Sequence, residues 1–402
     1  QSLDQNALLD YYSHRMKQFA ILGIHPELSV TELETVIKAE VDQGSDQVAL
    51  FESDLHLPEL QAKLGGTQKL GEVLGTVKDH QDIQKHLRAI LVEHEVEGKL
   101  KFGVSVYDLG SPKRTKEIQK YMHKVGISVK KDVKDSGRSV RLVTSQEPVL
   151  STVVIKKNKL VSKGIEFAIL VSDAEIHIGV TKAIQDFEDW SFRDYERPGR
   201  DAKSGMLPPK LARMMVNLAG VDAKSSYLLD PFCGSGTILM EASLLGFDNV
   251  IGSDISQRAI DDTGDNLVWL QDEQYRVADN TLICESATEL GKHLEKNSVD
   301  VIVTEPFLGN PRSGRERVQD IEHAVEALTE LYESSFEELD QILKPGGTIV
   351  VASPIHFVDD QAFPVPTIEI LENLGYDQIH TPLLYRREKQ FVGRNILTFR
   401  KK

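Results

Sequence analysis

The 402-residue sequence predicts an α/β protein whose C-terminal half is a mostly parallel β-sheet with helices on both faces. A buried-strand pattern at residues 227–230 leads into a glycine-rich turn, a helical pattern at 237–245 and a second strand at 250–252. Helix and strand patterns then alternate at residues 257–270, 281–284, 299–304, 318–343 and 348–353. Residues 385–387 and 394–399 fit an antiparallel hairpin that closes the sheet.

The N-terminal half differs, because its short strand and helix patterns predict two small α+β domains rather than one parallel sheet. We place the first domain at residues 1–92 and the second at residues 93–185. A polar, turn-rich connector follows at residues 186–206, and the C-terminal domain occupies residues 207–402.

Two local patterns in the N-terminal half can be tested directly. Ser29, followed three residues later by Glu32, predicts a capping box at the start of a helix over residues 28–34. Residues 153–155 (Val-Val-Ile) predict a further strand.

Composition limits the class of protein. The net charge of −15 argues against a uniformly basic nucleic-acid binder, so any basic surface has to be confined to one face. The two cysteines, Cys233 and Cys284, form neither a disulfide framework nor a zinc-ligand pattern. No apolar run is long enough to cross a bilayer, and no charged-then-apolar leader opens the sequence. These features predict a cytoplasmic protein with no membrane segment and no bound metal.

The strand-turn-helix-strand unit carries an acid at the carboxyl end of each strand, Asp230 and Asp254. Ligands of open parallel sheets bind at those ends, and an acid about 20 residues after a glycine turn can hold a ribose diol. The turn at residues 234–236 matches neither the full G-x-G-x-x-G pattern nor the P-loop pattern. Acids without a phosphate-binding pattern favour a positively charged ligand such as S-adenosylmethionine. The alternative is an ordinary crossover whose glycines only permit the turn.

Residues 230–242, DPFCGSGTILMEA, resemble the first cofactor motif of class I amino-methyltransferases. The resemblance is closest to the group with an N-terminal THUMP domain that modifies RNA guanines, which includes the tRNA guanosine-10 N2-methyltransferases. Residues 21–29 are similar to the opening of the eukaryotic enzyme's N-terminal domain. The resemblance implies a Rossmann-like class I methyltransferase domain, a THUMP-like RNA-binding domain at 93–185, and RNA, in this group tRNA, as the partner. A small activator subunit is a further partner that we keep open.

The same resemblance assigns a binding site for S-adenosylmethionine residue by residue. The implied cofactor-binding residues are Asp230, Pro231, Phe232, Cys233, Gly234, Ser235, Gly236, Thr237, Asp254, Ile255, Ser286 and Ala287. Ser286 and the backbone of Ala287 would meet the adenine ring. Most relatives carry an acid where Ser286 stands, so we expect either that Glu285 substitutes for it or that the contact is lost.

Amino-methyltransferases carry [D/N]-P-P-[Y/F] after the fourth strand. There the acid or amide and a proline carbonyl accept hydrogen bonds from an exocyclic amine, and the aromatic ring stacks on the base. This chain has Glu305-Pro306-Phe307-Leu308 at that place. The resemblance implies that Glu305 and Pro306 orient the amine and that Phe307 stacks. Two alternatives stay open: a DNA amino-methyltransferase, which shares the motif, and a non-catalytic RNA-binding or partner subunit, which the altered motif favours.

Basic residues predict where a nucleic acid would be contacted. Arg197 and Lys210 lie in the segment that, in this family, packs beside the cofactor and leads the RNA into the catalytic domain. Arg312 and Arg315 follow the catalytic motif, where they could meet phosphates beside a flipped-out base. Basic residues of the second domain could line an RNA surface, namely Lys120, Lys124, Lys130, Lys131, Arg138, Lys156, Lys157, Lys159 and Lys163. For both groups the alternative is a solvated charged face.

Overall fold

The chain divides into two compact units, residues 1–187 and 188–402. The computed structural model describes residues 17–200, 206–359, 361–388 and 390–402. Residues 1–16 of the first predicted domain and residues 201–205 of the predicted connector lie outside the described residues. Within the described ranges, no helix combines the length and the apolar character that crossing a membrane requires.

The first unit is built on one mixed β-sheet. Its described elements are β1 (Gln18–Leu22), α1 (Pro26–Ile37), β2 (Asp42–Gln43), β3 (Val48–Phe51), α2 (Leu57–Lys63), β4 (Thr67–Val77), α3 (Ile83–Glu93), β5 (Leu100–Asp108), α4 (Pro112–Asp135), β6 (Val140–Val143), α5 (Thr152–Asn158), β7 (Gly164–Val171) and β8 (Ile176–Ile184). The strand order is β2-β3-β1-β4-β8-β7-β5-β6. Strand β4 pairs with β8, so strands from both sides of residue 92 share the sheet. The THUMP-like character of residues 93–185 stays a prediction.

Helices α4 and α5 lie on opposite faces of this sheet. Met122 and Val129 of α4 belong to the same core cluster as Phe102 of β5. The next residue of that strand, Gly103, faces Leu150 and Leu160, which pack with Ile155 of α5. Because successive residues of a strand point to opposite faces, the two helices cannot cover the same face.

The basic residues predicted to form one RNA surface are therefore divided. Those of α4 lie on one face, and Lys156 and Lys157 of α5 lie on the other. Arg138 is occupied in addition, because its guanidinium donates to the carbonyls of Leu91 and Val92 at 2.7 and 3.0 Å. These basic residues therefore do not form a single RNA-binding surface in the structure.

The predicted capping box at Ser29 is wrong, because α1 begins at Pro26 and both Ser29 and Glu32 lie inside the helix. Proline suits the first helical position, since its fixed φ is helical and its missing N–H has no partner there. Ser29 Oγ instead donates to the Gly66 carbonyl at 2.9 Å, and the Glu32 carboxylate accepts from the Gly65 and Gly66 N–H groups at 2.8 Å. These polar side chains fix the loop that precedes β4.

The predicted strand at residues 153–155 is also wrong, since these residues form part of α5. Ser151 caps this helix by accepting from the Val154 N–H at 3.3 Å. The serine cap and the tertiary position outweigh the strand preference of the β-branched residues.

The second unit contains the predicted parallel sheet. Its described elements are α6 (Phe187–Tyr195, which starts at the last residue of the first unit), α7 (Pro209–Leu218), β9 (Tyr227–Asp230), α8 (Thr237–Leu245), β10 (Asn249–Asp254), α9 (Gln257–Asp272), β11 (Asp279–Cys284), β12 (Val299–Thr304), α10 (Val318–Ile342), β13 (Leu343–Val358), β14 (Gln361–Pro364), α11 (Thr367–Asn373), β15 (Tyr376–Gln378), β16 (Leu383–Tyr385) and β17 (Val392–Lys401). The strand order is β11-β10-β9-β12-β13-β17-β15. The pairs β11–β10, β10–β9, β9–β12 and β12–β13 are parallel. Strand β17 runs antiparallel to β13, β15 and β16, and β14 runs antiparallel to β13.

The order of these strands reverses around β9, which lies between β10 and β12. Gly252 of β10 is opposite Asp230 of β9, and Ile302 of β12 is opposite Leu229. The carboxyl ends of the three strands therefore meet at one edge, where open parallel sheets bind their ligands.

Candidate active site

A cavity of about 670 Å³ opens at this edge of the second unit. It is lined by residues from the ends of β9, β10, β11 and β12 and from the helices that follow: Met206, Leu207, Asp230, Pro231, Phe232, Cys233, Gly234, Ser235, Thr237, Ile238, Asp254, Ile255, Ser256, Arg258, Ala259, Asp262, Ser286, Ala287, Glu305, Pro306, Phe307, Leu308, Gly309, Asn310, Pro311 and Leu331. The structure thus brings the predicted cofactor and catalytic residues together, with the exception of Gly236, which lies behind the lining.

Two glycines give the turn after β9 its shape. Gly234 has φ +53° and Gly236 has φ +79°, a region that side-chain-bearing residues rarely adopt. A Cβ on Gly236 would lie 2.8 Å from Thr263 Cγ2, whereas a Cβ on Gly234 would meet nothing within 4 Å. Gly234 therefore leaves room for a ligand, and Gly236 leaves room for α9.

Helix α9 and the segment after α6 hold this turn from behind. Thr263 Oγ1 donates to the Gly234 carbonyl at 2.8 Å, and Asn266 Nδ2 donates to the Ser235 carbonyl at 2.8 Å. The same Asn266 side chain exchanges hydrogen bonds with the backbone of Gly199, at 2.8 and 2.9 Å. Arg197 Nη1 donates to Thr237 Oγ1 at 2.7 Å. The turn is thus fixed before any ligand arrives.

Asp230 lies at the floor of the cavity and is 1% exposed. Its Oδ1 accepts from Thr304 Oγ1 at 2.8 Å and from the Phe232 N–H at 3.2 Å. Burial raises the pKa of Asp230 to about 7; the hydrogen bonds from Thr304 and Phe232 oppose this rise, and the carboxylates of Asp254 and Glu305 add to it. A cation bound in the cavity would stabilise the ionised form.

Asp254 lies at the rim on the β10 side. Its Oδ2 accepts from the Gly234 N–H at 3.0 Å, and its Oδ1 accepts from the Ser256 N–H at 2.9 Å. These two bonds fix the carboxylate and leave lone pairs on both oxygens, since each oxygen can accept more than one hydrogen bond. The arrangement suits a diol.

The residues that follow β10 and β11 bring apolar groups to the cavity lining. Ile255 is 78% exposed although it is large and apolar, and it lines the cavity together with Ser286 and Ala287. An exposed apolar side chain at this place suits a flat aromatic ring. Glu285 is not part of the lining: its Oε1 accepts from the Ser286 N–H at 2.9 Å and its Oε2 lies 3.4 Å from His293 Nε2. Both expectations, that Glu285 substitutes for the acid or that the contact is lost, stay predictions.

The loop after β12 forms the opposite wall. The Glu305 carboxylate is bound by Arg394, whose Nε donates to Oε1 and whose Nη2 lies 3.3 Å from Oε2. Tyr332 Oη donates to the Phe307 carbonyl at 3.2 Å, while among the described residues no donor binds the Pro306 carbonyl. Phe307 is 51% exposed, so its ring is accessible at the cavity mouth. Glu305 and Pro306 thus place two acceptors on this wall.

Residues 197–358 match the family model of the RMKL-like methyltransferase domain. Over 155 residues, the chain is 39% identical to the tRNA (guanine(10)-N2)-dimethyltransferase of Methanothermobacter thermautotrophicus, a match that covers 39% of this chain and 40% of that protein. It is 31% identical over 144 residues to the probable tRNA (guanine(10)-N2)-dimethyltransferase of Methanothermococcus thermolithotrophicus, covering 36% of this chain and 79% of that protein. The chain belongs to the tRNA guanine-N2 methyltransferase family.

The match spans about two fifths of the length of the first of these relatives. Among solved structures, TrmN from Thermus thermophilus resembles the chain with a TM-score of 0.55 at 18% identity, covering 96% of this chain and 100% of that one. This likeness shows the fold, and it confirms the class I methyltransferase architecture predicted from the sequence.

Arg197 and Arg312 were predicted to contact the substrate, but their side chains are buried in the structure. Arg197 is 2% exposed and lies beneath the glycine turn, where burial lowers its pKa. The Arg312 side chain is 6% exposed and donates to the Phe357 and Phe391 carbonyls at 2.7 and 3.1 Å. Both guanidinium groups hold backbone or side chains in place, so neither is available to a phosphate in this structure.

The other two predicted substrate contacts have a different environment. Lys210 lies 5.7 Å from the centre of the Trp190 ring, and burial lowers its pKa. Arg315 is exposed on the loop that follows the catalytic motif. Neither lines the cavity, so their contact with a nucleic acid stays a prediction.

Sequence reasoning missed several residues of the site. Met206 and Leu207 line the cavity just before α7, and Arg258 and Asp262 do so from the first turns of α9. The last two could have been found, because a helix that follows the second strand of such a sheet points its first turn at the ligand. Arg394 lies 89 residues from Glu305, and nothing local in the sequence points to it.

The donor set of the cavity fits S-adenosylmethionine in this family. Acidic side chains, Asp230, Asp254, Asp262 and Glu305, outnumber the basic lining residue Arg258. The glycine turn presents backbone and open space, and Ile255 and Ala287 add apolar surface to the lining. A cluster of three or more His, Cys, Asp or Glu side chains that could hold a metal is not found among the described residues.

Proposed function

We propose that this chain is an S-adenosylmethionine-dependent methyltransferase that methylates the exocyclic amine of a guanine in tRNA. The observation that carries the proposal is that Glu305 and Pro306 line the same cavity as the glycine turn, where each brings a hydrogen-bond acceptor. Two adjacent acceptors suit the two N–H groups of an exocyclic amine. Guanine and tRNA are supported by the names of the relatives in M. thermautotrophicus and M. thermolithotrophicus.

One half of the cavity binds the cofactor. Asp254 accepts hydrogen bonds from the ribose diol, and the Ile255 side chain and the Ala287 backbone contact the adenine. Ser235 and the open space at Gly234 accept the amino-acid end. Asp230 supplies negative charge that attracts the sulfonium. When bound, S-adenosylmethionine supplies an electrophilic methyl group.

The substrate half orients the amine. Glu305 and the Pro306 carbonyl accept its two N–H groups, which turns the nitrogen lone pair toward the cofactor half of the cavity. Phe307 stacks on the base, which has to leave its own stack to enter the cavity. As the amine nitrogen would bond to the methyl carbon, the carbon–sulfur bond would break and its electron pair would stay on the sulfur of the departing thioether. The methylated amine would release one proton, for which the Glu305 carboxylate is an acceptor. Positioning and electrostatics of this kind supply several kcal/mol of barrier reduction.

The proposal also includes RNA contacts outside the cavity, a partner subunit and a cellular location. A THUMP-like role for residues 93–185 is supported by the exposed lysines of α4. The exposure of Arg315 on the loop after the catalytic motif supports a contact with a phosphate beside the entering base. A small activator subunit belongs to the same proposal. A cytoplasmic location is supported by the unpaired state of Cys233 and Cys284, which fits a reducing compartment.

The test compares the wild-type protein with Glu305→Ala on an unmodified tRNA transcript and labelled S-adenosylmethionine. We expect label in N2-methylguanosine, and a kcat lower by about 100-fold or more in the variant, because one preorganised acceptor is lost. Glu326→Ala is the matched control, since Glu326 is an exposed glutamate of α10 that does not line the cavity. Label in another nucleoside, or an undiminished rate in Glu305→Ala, would contradict the assignment.

A non-catalytic RNA-binding subunit is the second candidate, favoured by one observation. Phe307 and Leu308 stand where the family motif has its second proline and its aromatic residue. Binding of S-adenosylmethionine without methyl transfer to tRNA, with or without a partner protein, would support this candidate. Methyl transfer to DNA but not to tRNA would instead indicate a DNA amino-methyltransferase.

A further inference from the structure

Arg394 reaches the catalytic wall from the antiparallel edge of the second unit. It lies on β17, opposite Pro354 of β13 and Tyr385 of β16. Strand β13 separates β17 from β12, and Glu305 is the residue that follows β12. The guanidinium therefore passes over β13 to meet Glu305.

The contact between the two side chains is two-pronged. Arg394 Nε donates to Glu305 Oε1, and Nη2 lies 3.3 Å from Oε2. The side chains are 10% and 12% exposed, so water screens the pair little. Burial lowers the pKa of Arg394 and the Glu305 carboxylate raises it, and the net result is a raised pKa. Two parallel bonds fix both the position and the plane of a carboxylate.

The direction of approach leaves the carboxylate usable. Glu305 lines the cavity, whereas Arg394 does not, so the guanidinium approaches from the side of the sheet. Each carboxylate oxygen has two lone pairs, and the pair with Arg394 uses one on each oxygen. Because Glu305 lines the cavity, the remaining lone pairs are available to accept an amine N–H there.

The length of the side chain at position 305 also matters. An aspartate, which the family motif has here, would withdraw the carboxylate by about 1.5 Å, one carbon–carbon bond, and break the contact with Arg394. A glutamate without Arg394 would have one more rotatable bond than aspartate and no fixed plane. The longer acid and the arginine compensate for one another.

We propose that Arg394 is a positioning residue that fixes the Glu305 carboxylate in the plane needed to accept the amine of the substrate. The inference rests on the proposed function, because it assigns Arg394 a part in that same reaction. Arg394 acts through Glu305, so its effect has to vanish when the side chain at position 305 is removed.

The experiment is a double-mutant cycle in the full-length chain, with wild type, Arg394→Gln, Glu305→Ala and the double variant. We measure kcat and KM with tRNA and the affinity for S-adenosylmethionine. Arg394→Gln should lower kcat by about 10- to 100-fold with the cofactor affinity within about 3-fold of wild type. The double variant should match Glu305→Ala, since additivity fails for residues that act as one unit.

Two further variants separate positioning from folding. Arg394→Lys should recover part of the lost kcat, because it restores the charge but not the fork. Arg400→Gln, an exposed arginine on the same strand, should leave kcat unchanged. If Arg394→Gln does not fold, the comparison of wild type with Arg394→Lys, which keeps the charge, still gives the result.

The outcomes are distinct. An active wild type whose Arg394→Gln retains full kcat, or a double variant slower than Glu305→Ala by the whole Arg394→Gln factor, would overturn the positioning role alone. A wild type that binds S-adenosylmethionine but methylates no RNA would overturn both this role and the proposed function.

Discussion

In the first unit, Lys69 is 2% exposed and uses all three ammonium donors on protein acceptors: Tyr107 Oη, the Leu150 carbonyl and Glu166 Oε1, each at 2.7 Å. Glu166 is completed by Ser105 at 2.5 Å and Thr181 at 2.6 Å. We call these five side chains the closed cluster.

In the second unit, Asp230 is equally buried, but only its Oδ1 accepts hydrogen bonds from described residues, and Asp254 and Glu305 repel it across the cavity. A buried charge whose partners are all protein groups contributes to the fold. A buried charge that faces a cavity with an incomplete set of partners contributes to ligand binding. The two units therefore differ in the source of the groups that pair with the buried charge: the protein supplies all of them in the first unit, and a ligand completes them in the second.

The largest effect is expected from breaking the closed cluster. Lys69→Met should lower the free energy of unfolding of the first unit by about 3–5 kcal/mol, because it leaves the Glu166 carboxylate buried without its cation. Urea unfolding followed by circular dichroism measures the loss. The double variant Lys69→Met with Glu166→Gln should recover much of it, since glutamine is neutral and still accepts from Ser105 or Thr181.

The matched control is Lys182→Met in the same unit. Lys182 is paired with Glu72 at 3.0 Å, but its side chain is 43% exposed. Surface pairs contribute about 0–1 kcal/mol, so this variant should be nearly neutral. Equal effects of the two lysine variants would show that the closed cluster has no special weight in the fold.

A slightly smaller effect is expected from the titration of Asp230. Its pKa of about 7 in the folded, ligand-free protein lies above the ordinary value of 3.8, so the stability it contributes is fully present below about pH 4 and is lost as the pH rises through 7. The difference can reach about 4 kcal/mol. Urea unfolding of wild type and Asp230→Asn between pH 4 and pH 8 measures it, and wild type should lose stability relative to the variant. Parallel curves for the two proteins would contradict the raised pKa.

The same titration predicts how ligand binding depends on pH. S-adenosylmethionine carries a sulfonium, so calorimetry should show tighter binding at pH 8 than at pH 6, where Asp230 is mostly protonated. S-adenosylhomocysteine has no sulfonium charge and should depend less on pH. If the affinities of both ligands depend on pH in the same way, the Asp230 carboxylate does not bind the sulfonium charge.

The residues that sequence analysis finds well are those whose environment is local. Asp230, Asp254 and the turn between them lie within one strand-turn-helix-strand unit, where the chain path itself brings them together, and the structure has them at one cavity. Arg394 could not be found in this way, because it reaches Glu305 only through the pairing of β17 with β13. The predicted contact of Arg197 with RNA depends on the resemblance of its segment to the one that, in this family, leads the RNA into the catalytic domain. Its burial against Thr237 depends on tertiary packing that no local pattern contains.

The smallest effect is expected from Gly236→Ala, and it tests whether the cavity is shaped in advance. The positive φ of +79° costs an alanine about 1–2 kcal/mol, and the new Cβ would press on Thr263, which holds the Gly234 carbonyl. Gly246→Ala is the control, because Gly246 also has a positive φ, +102°, but a Cβ there meets nothing within 4 Å. Both variants should lose the stability that the positive φ costs, and Gly236→Ala should lose more because of Thr263. Only Gly236→Ala should bind S-adenosylmethionine about 10-fold more weakly, equivalent to about 1.4 kcal/mol. Equal affinities would mean that the turn adjusts to its ligand, and that the open side of Asp230, rather than the fixed shape of the turn, determines binding in the second unit.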